Sequence, residues 1–379
     1  MQCALSDDQR LLRDSVRAFA EAEMGPHVME WDEAQRFPMT LLPALAELGL
    51  MGIQFPERHG GAAMSAMDYC LCIEELARVD PAISLSVAAH NGLAAAHIHM
   101  FGTDAQKASW LEPLARGAYL GAWGLTEASA GSDAASMRTS AVRDGDAWRI
   151  SGGKTFTTHG NICGVMVVTA VTDRTRGHRG ISAFIVPAGT PGMRAGRKEN
   201  KLGMRASETS EVVFDDCVVP DTQRLGEVGA GFVNALQVLD AGRIGIAALS
   251  VGLAQGAFEA ARRYAREREQ FGQPIAKFQG IRWKLADLAT RLQAARLLTY
   301  RAAELRDRGE RTTRESSIAK LFSSEVAVRA AEECVQLHGG YGFVKDYPAE
   351  KYFRDVKLLT IGEGTSEIQR LVIARQLLA

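Results

Sequence analysis

Apolar positions along residues 6–24, SDDQRLLRDSVRAFAEAEM, recur three or four apart, so Leu12, Val16, Phe19 and Ala20 line one face of a helix that Ser6 can cap. The same period continues through TLLPALAELGLMG and MDYCLCIEELARVD. The stretch SLSVAAHNGLAAAHIHMFG is Ala-rich and almost uncharged, which predicts a buried helix. Near Gly121 the texture changes. β-Branched runs (AWRISG, VMVVTAV, GISAFIVP, SEVVFDDCVVP) alternate with glycine and proline turn signals and predict the short strands of a small barrel or sandwich. Helical spacing returns at Phe232. Long segments at about 230–267, 279–309 and 312–338, with a fourth after Gly364, are joined by short connections and predict a four-helix bundle. The expected class is α+β: an N-terminal α-helical domain (1–121), a middle β-barrel domain (122–227) and a C-terminal four-helix-bundle domain (228–379). Helices, then strands, then helices is not the alternation of a Rossmann sheet. The chain carries no GxGxxG after a strand and no P-loop.

Composition narrows the partners. The 379 residues include 44 Lys and Arg against 45 Asp and Glu, a net charge of −1, which argues against wholesale attraction to nucleic acid or an anionic membrane. No segment reaches eighteen consecutive apolar residues, so no membrane span is expected. The acids within the first ten residues fit neither a secretory signal nor a transit peptide. The expected location is the cytoplasm of a bacterium, or the mitochondrial matrix for a processed form. Cys3, Cys70, Cys72, Cys163, Cys217 and Cys334 are scattered without metal-ligand spacing and read as free, mostly buried thiols.

Five stretches could carry chemistry. GAWGLTEASAGSD (121–133) can bring backbone amides, Thr126 and Ser132 close to a phosphate or a polar ring edge, although a plain interdomain loop has the same composition. In GKTFTTHGN (153–161), Phe156 and Thr158 share one face of a strand and could stack on and bond a planar cofactor; a solvated strand with one core Phe reads the same way. AREREQFGQPIAKFQG (265–280) offers Arg266 and Arg268 to an anion, or a solvated face. CVQLHGGYGF (334–343) ends a helix, with Gly339 suited to a left-handed cap and His338 to a buried structural role. Last, LTIGEGTSEIQR (359–370) sets Glu363 between two glycines at a helix start, after a segment read as strand-like or irregular.

In this order and over the whole length, LTEASAGSD, KTFTTHGN, KLGMRASET, LDAGR, REQFGQPI, QLHGGYG and EGTSEIQR resemble the motifs of acyl-CoA dehydrogenases of short-chain or short-branched-chain type. The resemblance implies FAD-dependent α,β-dehydrogenation of an acyl-CoA to a trans-2-enoyl-CoA, with electrons passed to an electron-transfer flavoprotein. It implies Glu363 as the base that removes the α proton, with its backbone N–H helping to polarise the thioester carbonyl. FAD contacts are implied at Trp123, Leu125, Thr126, Gly131, Ser132, Phe156 and Thr158, and again at Thr365 and Glu367. Arg268, Gln270, Phe271, Gln336 and Gly340 are implied as contacts of the dinucleotide, Arg268 and Phe271 being reached from a neighbouring subunit of a homotetramer. Ser132, Asp240, Arg243, Gly362 and Gly364 are implied on the substrate side.

Some members carry the base within the stretch written here LDAGR, but Gly242 cannot serve as one. Ala128 replaces a usual Pro and Phe156 a usual Trp. Gly362 replaces a usual Tyr and suggests a pocket widened for a short branched acyl group, with short or medium straight chains as the alternative. Ile83 and Ser84 stand where glutaryl-type members place Arg and Ser, which disfavours a dicarboxyl substrate. An acyl-CoA oxidase and a non-catalytic CoA-binding relative are the competing functions; a flavin monooxygenase relative would lack the glutamate.

Overall fold

Ser6 accepts the Gln9 backbone N–H at 3.1 Å and Gln9 returns the bond, a reciprocal cap that opens the helix Asp7–Phe19 in the computed structural model, which describes residues 5–378. Val16 and Ala20 are buried from this helix, and Leu12 and Phe19 pack on the same core. The helix Ala66–Val79 and the Ala-rich run follow. The run is helical from Pro81 to Phe101, with a wider turn at His90–Ala95, and most of it is buried as its composition predicts.

The middle of the chain forms β1 (Leu120–Gly124), β2 (Ser140–Asp144), β3 (Ala147–Thr158), β4 (Cys163–Val171), β5 (Ile181–Pro187), β6 (Met193–Lys198), β7 (Thr209–Pro220) and β8 (Arg224–Leu225). Seven strands run in the order β6-β7-β3-β2-β4-β5-β8, and β1 joins β4 in parallel. The sheet curls until Trp148 of β3 meets Phe184 of β5, ring centroids 5.4 Å apart. Ile150, Val186, Val212 and Phe214 fill the space between. A second layer, including Ile98, Leu111 and Leu114, packs on Val165, Val167 and Ile185 and fixes the sheet to the N-terminal helices.

The bundle consists of Gly231–Glu267, Gln279–Asp307, Thr313–His338 and Ser366–Leu378. Its 37-residue first helix is long and apolar enough to cross a membrane, but 83% of its most apolar window is buried inside the molecule. It shares one continuous core with the N-terminal helices, Leu45, Ile73 and Leu76 packing among Leu249, Val251 and Leu253. Two glycines permit that approach. A Cβ at Gly252 would stand 2.2 Å from the Glu74 carbonyl oxygen and one at Gly256 2.3 Å from that of Arg78.

A short helix not foreseen from the sequence, Ala349–Val356, sits where the three units meet. Its buried Lys351 pairs with Asp80 (2.9 Å) and Asp355 (2.6 Å), and Asp355 accepts the Met204 N–H at 2.5 Å. Arg354 reaches Asp32 at 2.9 Å. The chain leaving this helix is a 3-10 turn, Lys357–Thr360, where the sequence suggested a strand-like or irregular segment: Ile361 and Gly362 both donate to the Leu358 carbonyl at 2.8 Å. The five cysteines within the described residues are buried, and Cys3 lies outside them.

Candidate active site

The 3-10 turn delivers the chain to two consecutive left-handed residues, Glu363 (φ +52°) and Gly364 (φ +97°), before Thr365 starts the last helix by accepting the Ile368 N–H at 3.3 Å. Glycine suits the second position; glutamate at the first is strained and needs outside support. The reversal turns the Glu363 side chain back onto the first bundle helix at Gly242. A Cβ on Gly242 would lie 2.2 Å from Glu363 Oε2, so that glycine is the space the carboxylate fills. Glu363 as a residue is partly exposed, yet Oε2 is closed off from solvent and has no hydrogen-bond partner among the described residues. Burial pushes its proton affinity up to about 7, opposed by the positive charges of Lys320 and Arg243.

Two residues beside the carboxylate were not singled out from the sequence. Tyr69, buried on the Ala66–Val79 helix, points its hydroxyl at Gly245, one turn along from Gly242; it too lacks a partner, and Glu363 is its main charged neighbour. Gly92 opens onto both the Tyr69 hydroxyl and the Gly242 Cα. Lys320, buried on Thr313–His338, donates to the Gly364 carbonyl at 2.7 Å. Both looked in sequence like ordinary members of helix faces; a charged residue at an otherwise apolar buried position was the one signal for Lys320. Arg243 is buried beside them, paired with Asp240, and Asp240 also accepts from the Thr313 hydroxyl at 2.7 Å. Asp240 is thus engaged within the chain.

The loop after β1 closes another side. Leu125 and Ala130 pack on Ala235 and Leu239, the helical turns just before Gly242. A buried ion pair missed in the sequence anchors this loop: Lys154 reaches Glu127 at 2.7 Å and the Leu125 carbonyl at 3.2 Å. Glu127 also accepts the Arg138 (2.6 Å) and Thr139 (3.0 Å) amides. Burial lowers Lys154 to about 8, while the lysine and the amides outweigh the effect of burial on Glu127 and hold it below its usual range, so both are charged at neutral pH. Trp123 turns its indole N–H to His97 at 3.0 Å, Thr126 is half-buried, and Gly131 and Ser132 are exposed.

At the end of β3 the pairing register shifts and Phe156 takes φ +53°. A bulge, rather than simple alternation, therefore aims its ring, and the residue is 65% exposed and not part of the core. Thr158 is half-buried, and the buried Thr155 and Thr157 hydroxyls lack partners among the described residues. Exposed aromatic, free hydroxyls and an open glycine loop fit a planar dinucleotide such as FAD.

The remaining candidates lie elsewhere. Glu269–Gln270 and Gln273–Pro274 pair as a small hairpin whose turn, Phe271 (φ +53°) and Gly272 (φ +74°), leaves the Phe271 ring 93% exposed. Arg268 stacks on Tyr341, 5.7 Å from its centroid, which brings the hairpin beside exposed Gln336 and Gly340. His338 is buried against Tyr264, as its structural reading expected. Gly339 has φ +60° but ψ −131°, so it is not a left-handed cap but a conformation open essentially to glycine alone. From Gly242 to Glu267 the helix rises about 38 Å. One chain therefore cannot bring this cluster to Glu363. Glu367 stays near the carboxylate turn but is exposed, on the rim of a depression of 350 Å³ with Thr365, Lys357 and Arg370.

Three domain models of acyl-CoA dehydrogenases match in order: the N-terminal domain over residues 6–118, the middle domain over 122–217 and the C-terminal domain over 229–378. The short-chain specific acyl-CoA dehydrogenase of Clostridium acetobutylicum is 45% identical over 374 residues, 99% of each chain. The structure of butyryl-CoA dehydrogenase from Megasphaera elsdenii superposes with TM-score 0.98 at 41% identity, covering both chains fully. A chain solved in work on the electron transferring flavoprotein of Acidaminococcus fermentans does so with TM-score 0.98 at 44% identity, again over both full lengths. With a buried, unpartnered carboxylate at its turn and three matching domains, the chain belongs to the acyl-CoA dehydrogenase family, FAD-dependent oxidoreductases that introduce a double bond into an acyl-CoA.

Proposed function

We propose that this enzyme converts a short acyl-CoA to the trans-2-enoyl-CoA, with Glu363 as the base that takes the α proton. FAD would supply the acceptor for the β hydride and the route of the electrons to an electron-transfer flavoprotein. The observation that carries the reading is the Glu363 carboxylate itself: buried, unpartnered, lodged over Gly242 and raised to about 7, where a base can both ionise and hold a proton at neutral pH. Its backbone N–H makes no hydrogen bond among the described residues and is the proposed donor to the thioester oxygen. Arg243, held by Asp240, keeps a positive charge beside the carboxylate. Leu125, Thr126, Ser132, Phe156 and Thr158 would hold the flavin end of the cofactor.

Tyr69 supports a short acyl chain. Its hydroxyl lies against Gly245, three residues and roughly 4.5 Å of helix rise from the Gly242 that the carboxylate covers, and would stop a chain lying between them. Gly362 supports a branched variant of the same reading. It has no positive φ, and a Cβ there would meet Leu358 only at 3.5 Å, so the fold does not require glycine. The exposed Phe271, held at a strained turn far from Glu363, supports a cofactor shared between copies and hence the homotetramer. A cytoplasmic location in a bacterium goes with this reading.

The test is kcat/KM for isobutyryl-, 2-methylbutyryl-, isovaleryl-, butyryl- and octanoyl-CoA. The C4 and C5 substrates should lead, and a preference for octanoyl-CoA would overturn the short-chain assignment. Glu363→Gln should retain FAD yet show no bleaching with substrate; turnover in that variant would remove Glu363 as the base.

A further inference from the structure

Lys320 is fully buried, yet among the described residues no carboxylate is in ion-pair contact with it. A buried ammonium without a partner is costly, so its single contact is informative. Nζ donates to the Gly364 carbonyl at 2.7 Å. Gln369, also buried, donates to the same carbonyl at 2.9 Å and to that of Glu363 at 3.3 Å. Side chains from two helices thus grip the two carbonyls of the two left-handed residues. Such strain persists only where the surroundings over-determine it.

We propose that Lys320 is a positioning residue for the base: it holds the Gly364 carbonyl so that the Glu363 carboxyl lies over Gly242, and its charge favours the ionised base. This rests on the reading of Glu363 as that base. Glu363 faces Lys320 from Thr313–His338, Arg243 from the first bundle helix and Tyr69 from Ala66–Val79; around these stand Asp240 beside Arg243, Arg306 from the end of Gln279–Asp307 beside Tyr69 and Asp240, and Glu367 beside Lys320. Arg243 is paired with Asp240 and its charge is partly spent there. Lys320 has no such partner, and after burial, which lowers its own proton affinity, Glu363 is its main charged influence. Gln369 shares the grip without the charge. Geometry and charge can therefore be separated by substitution.

The experiment compares holoenzymes carrying K320M, K320Q, K320R and Q369L, measuring kcat/KM for butyryl-CoA against pH with an artificial electron acceptor. K320M should move the acid limb upward by about one pH unit, a tenfold loss at acid pH, together with a fall in kcat. K320Q keeps a donor to the Gly364 carbonyl and should show the same limb shift with less loss of kcat. K320R should return the limb to the wild-type position. Q369L should lower kcat and leave the limb in place. A wild-type limb in K320M or K320Q, or a K320R limb displaced like that of K320M, overturns the proposal; where K320M yields no holoenzyme, K320Q decides. Activity in Glu363→Gln would instead sink the underlying base assignment, so the two failures are distinguishable.

Discussion

Gly242→Ala separates the needs of the site from those of the fold, because the two point in opposite directions. In the interior of a helix, alanine is favoured over glycine by roughly 1 kcal/mol. The nearest atoms to the added Cβ are not backbone but the Glu363 carboxyl, Oε2 at 2.2 Å and Cδ at 3.1 Å. Contacts under 3.0 Å are essentially unknown for real Cβ atoms, so the carboxyl must withdraw by roughly 1 Å. A displacement of that size from a reactive geometry costs about 100-fold in rate, or ~2.7 kcal/mol of transition-state stabilisation. G242A should therefore melt at or slightly above the wild-type temperature, keep its full FAD content, and lose about 100-fold in kcat/KM for butyryl-CoA. The assays are thermal unfolding, flavin absorbance per subunit, and anaerobic bleaching by substrate. A variant that stays within about threefold of wild-type kcat/KM would show that the carboxylate does not work from the position over Gly242.

Three further outcomes follow from the same geometry. Because burial raises Glu363 to about 7 and the base must be ionised, kcat/KM for butyryl-CoA should rise tenfold per pH unit below about 7 and level off above it; a limb near pH 4.5 would contradict the desolvated site. Lys154→Met leaves Glu127 charged, buried and unpaired, at a cost of roughly 3–5 kcal/mol, read as a lowered Tm with loss of FAD, while an unchanged Tm would mean that the pair does not anchor the loop. Phe271→Ala removes a ring that touches little within its own chain, so the subunit should fold normally but retain FAD roughly tenfold less well and dissociate on light-scattering chromatography; wild-type size and FAD content would exclude the hairpin from the assembly.

The three-unit order was legible because helices and strands leave different hydrophobic periods, and nothing later in folding erases a period of 3.6 or 2. The Ser6 cap and the four bundle segments belong to this class. Local chemistry failed where tertiary contact decided the backbone. The turn into Glu363 looked strand-like or irregular, yet it is a 3-10 turn that runs straight on from a helix tied down by Lys351 between Asp80 and Asp355. The Phe156 position looked like simple alternation, but a bulge aims the ring.

Sequence alone put an acid between two glycines at a helix start, and the resemblance of its motifs named that acid as a base. It offered no means to see that Gly242, 121 residues earlier, is the space into which the carboxylate fits. Nor could it place Lys320 and Tyr69 beside that acid, since their surroundings come from elements distant in the chain and their burial is set by packing rather than by neighbours in sequence. It grouped the residues around 268–271 and 336–340 with those around 125–158 as contacts of one cofactor. The resemblance already implied that Arg268 and Phe271 reach the cofactor from a neighbouring subunit; what only the structure supplied is the distance, a rise of about 38 Å between Gly242 and Glu267, because distance through space is a property of the folded helix and not of order along the chain.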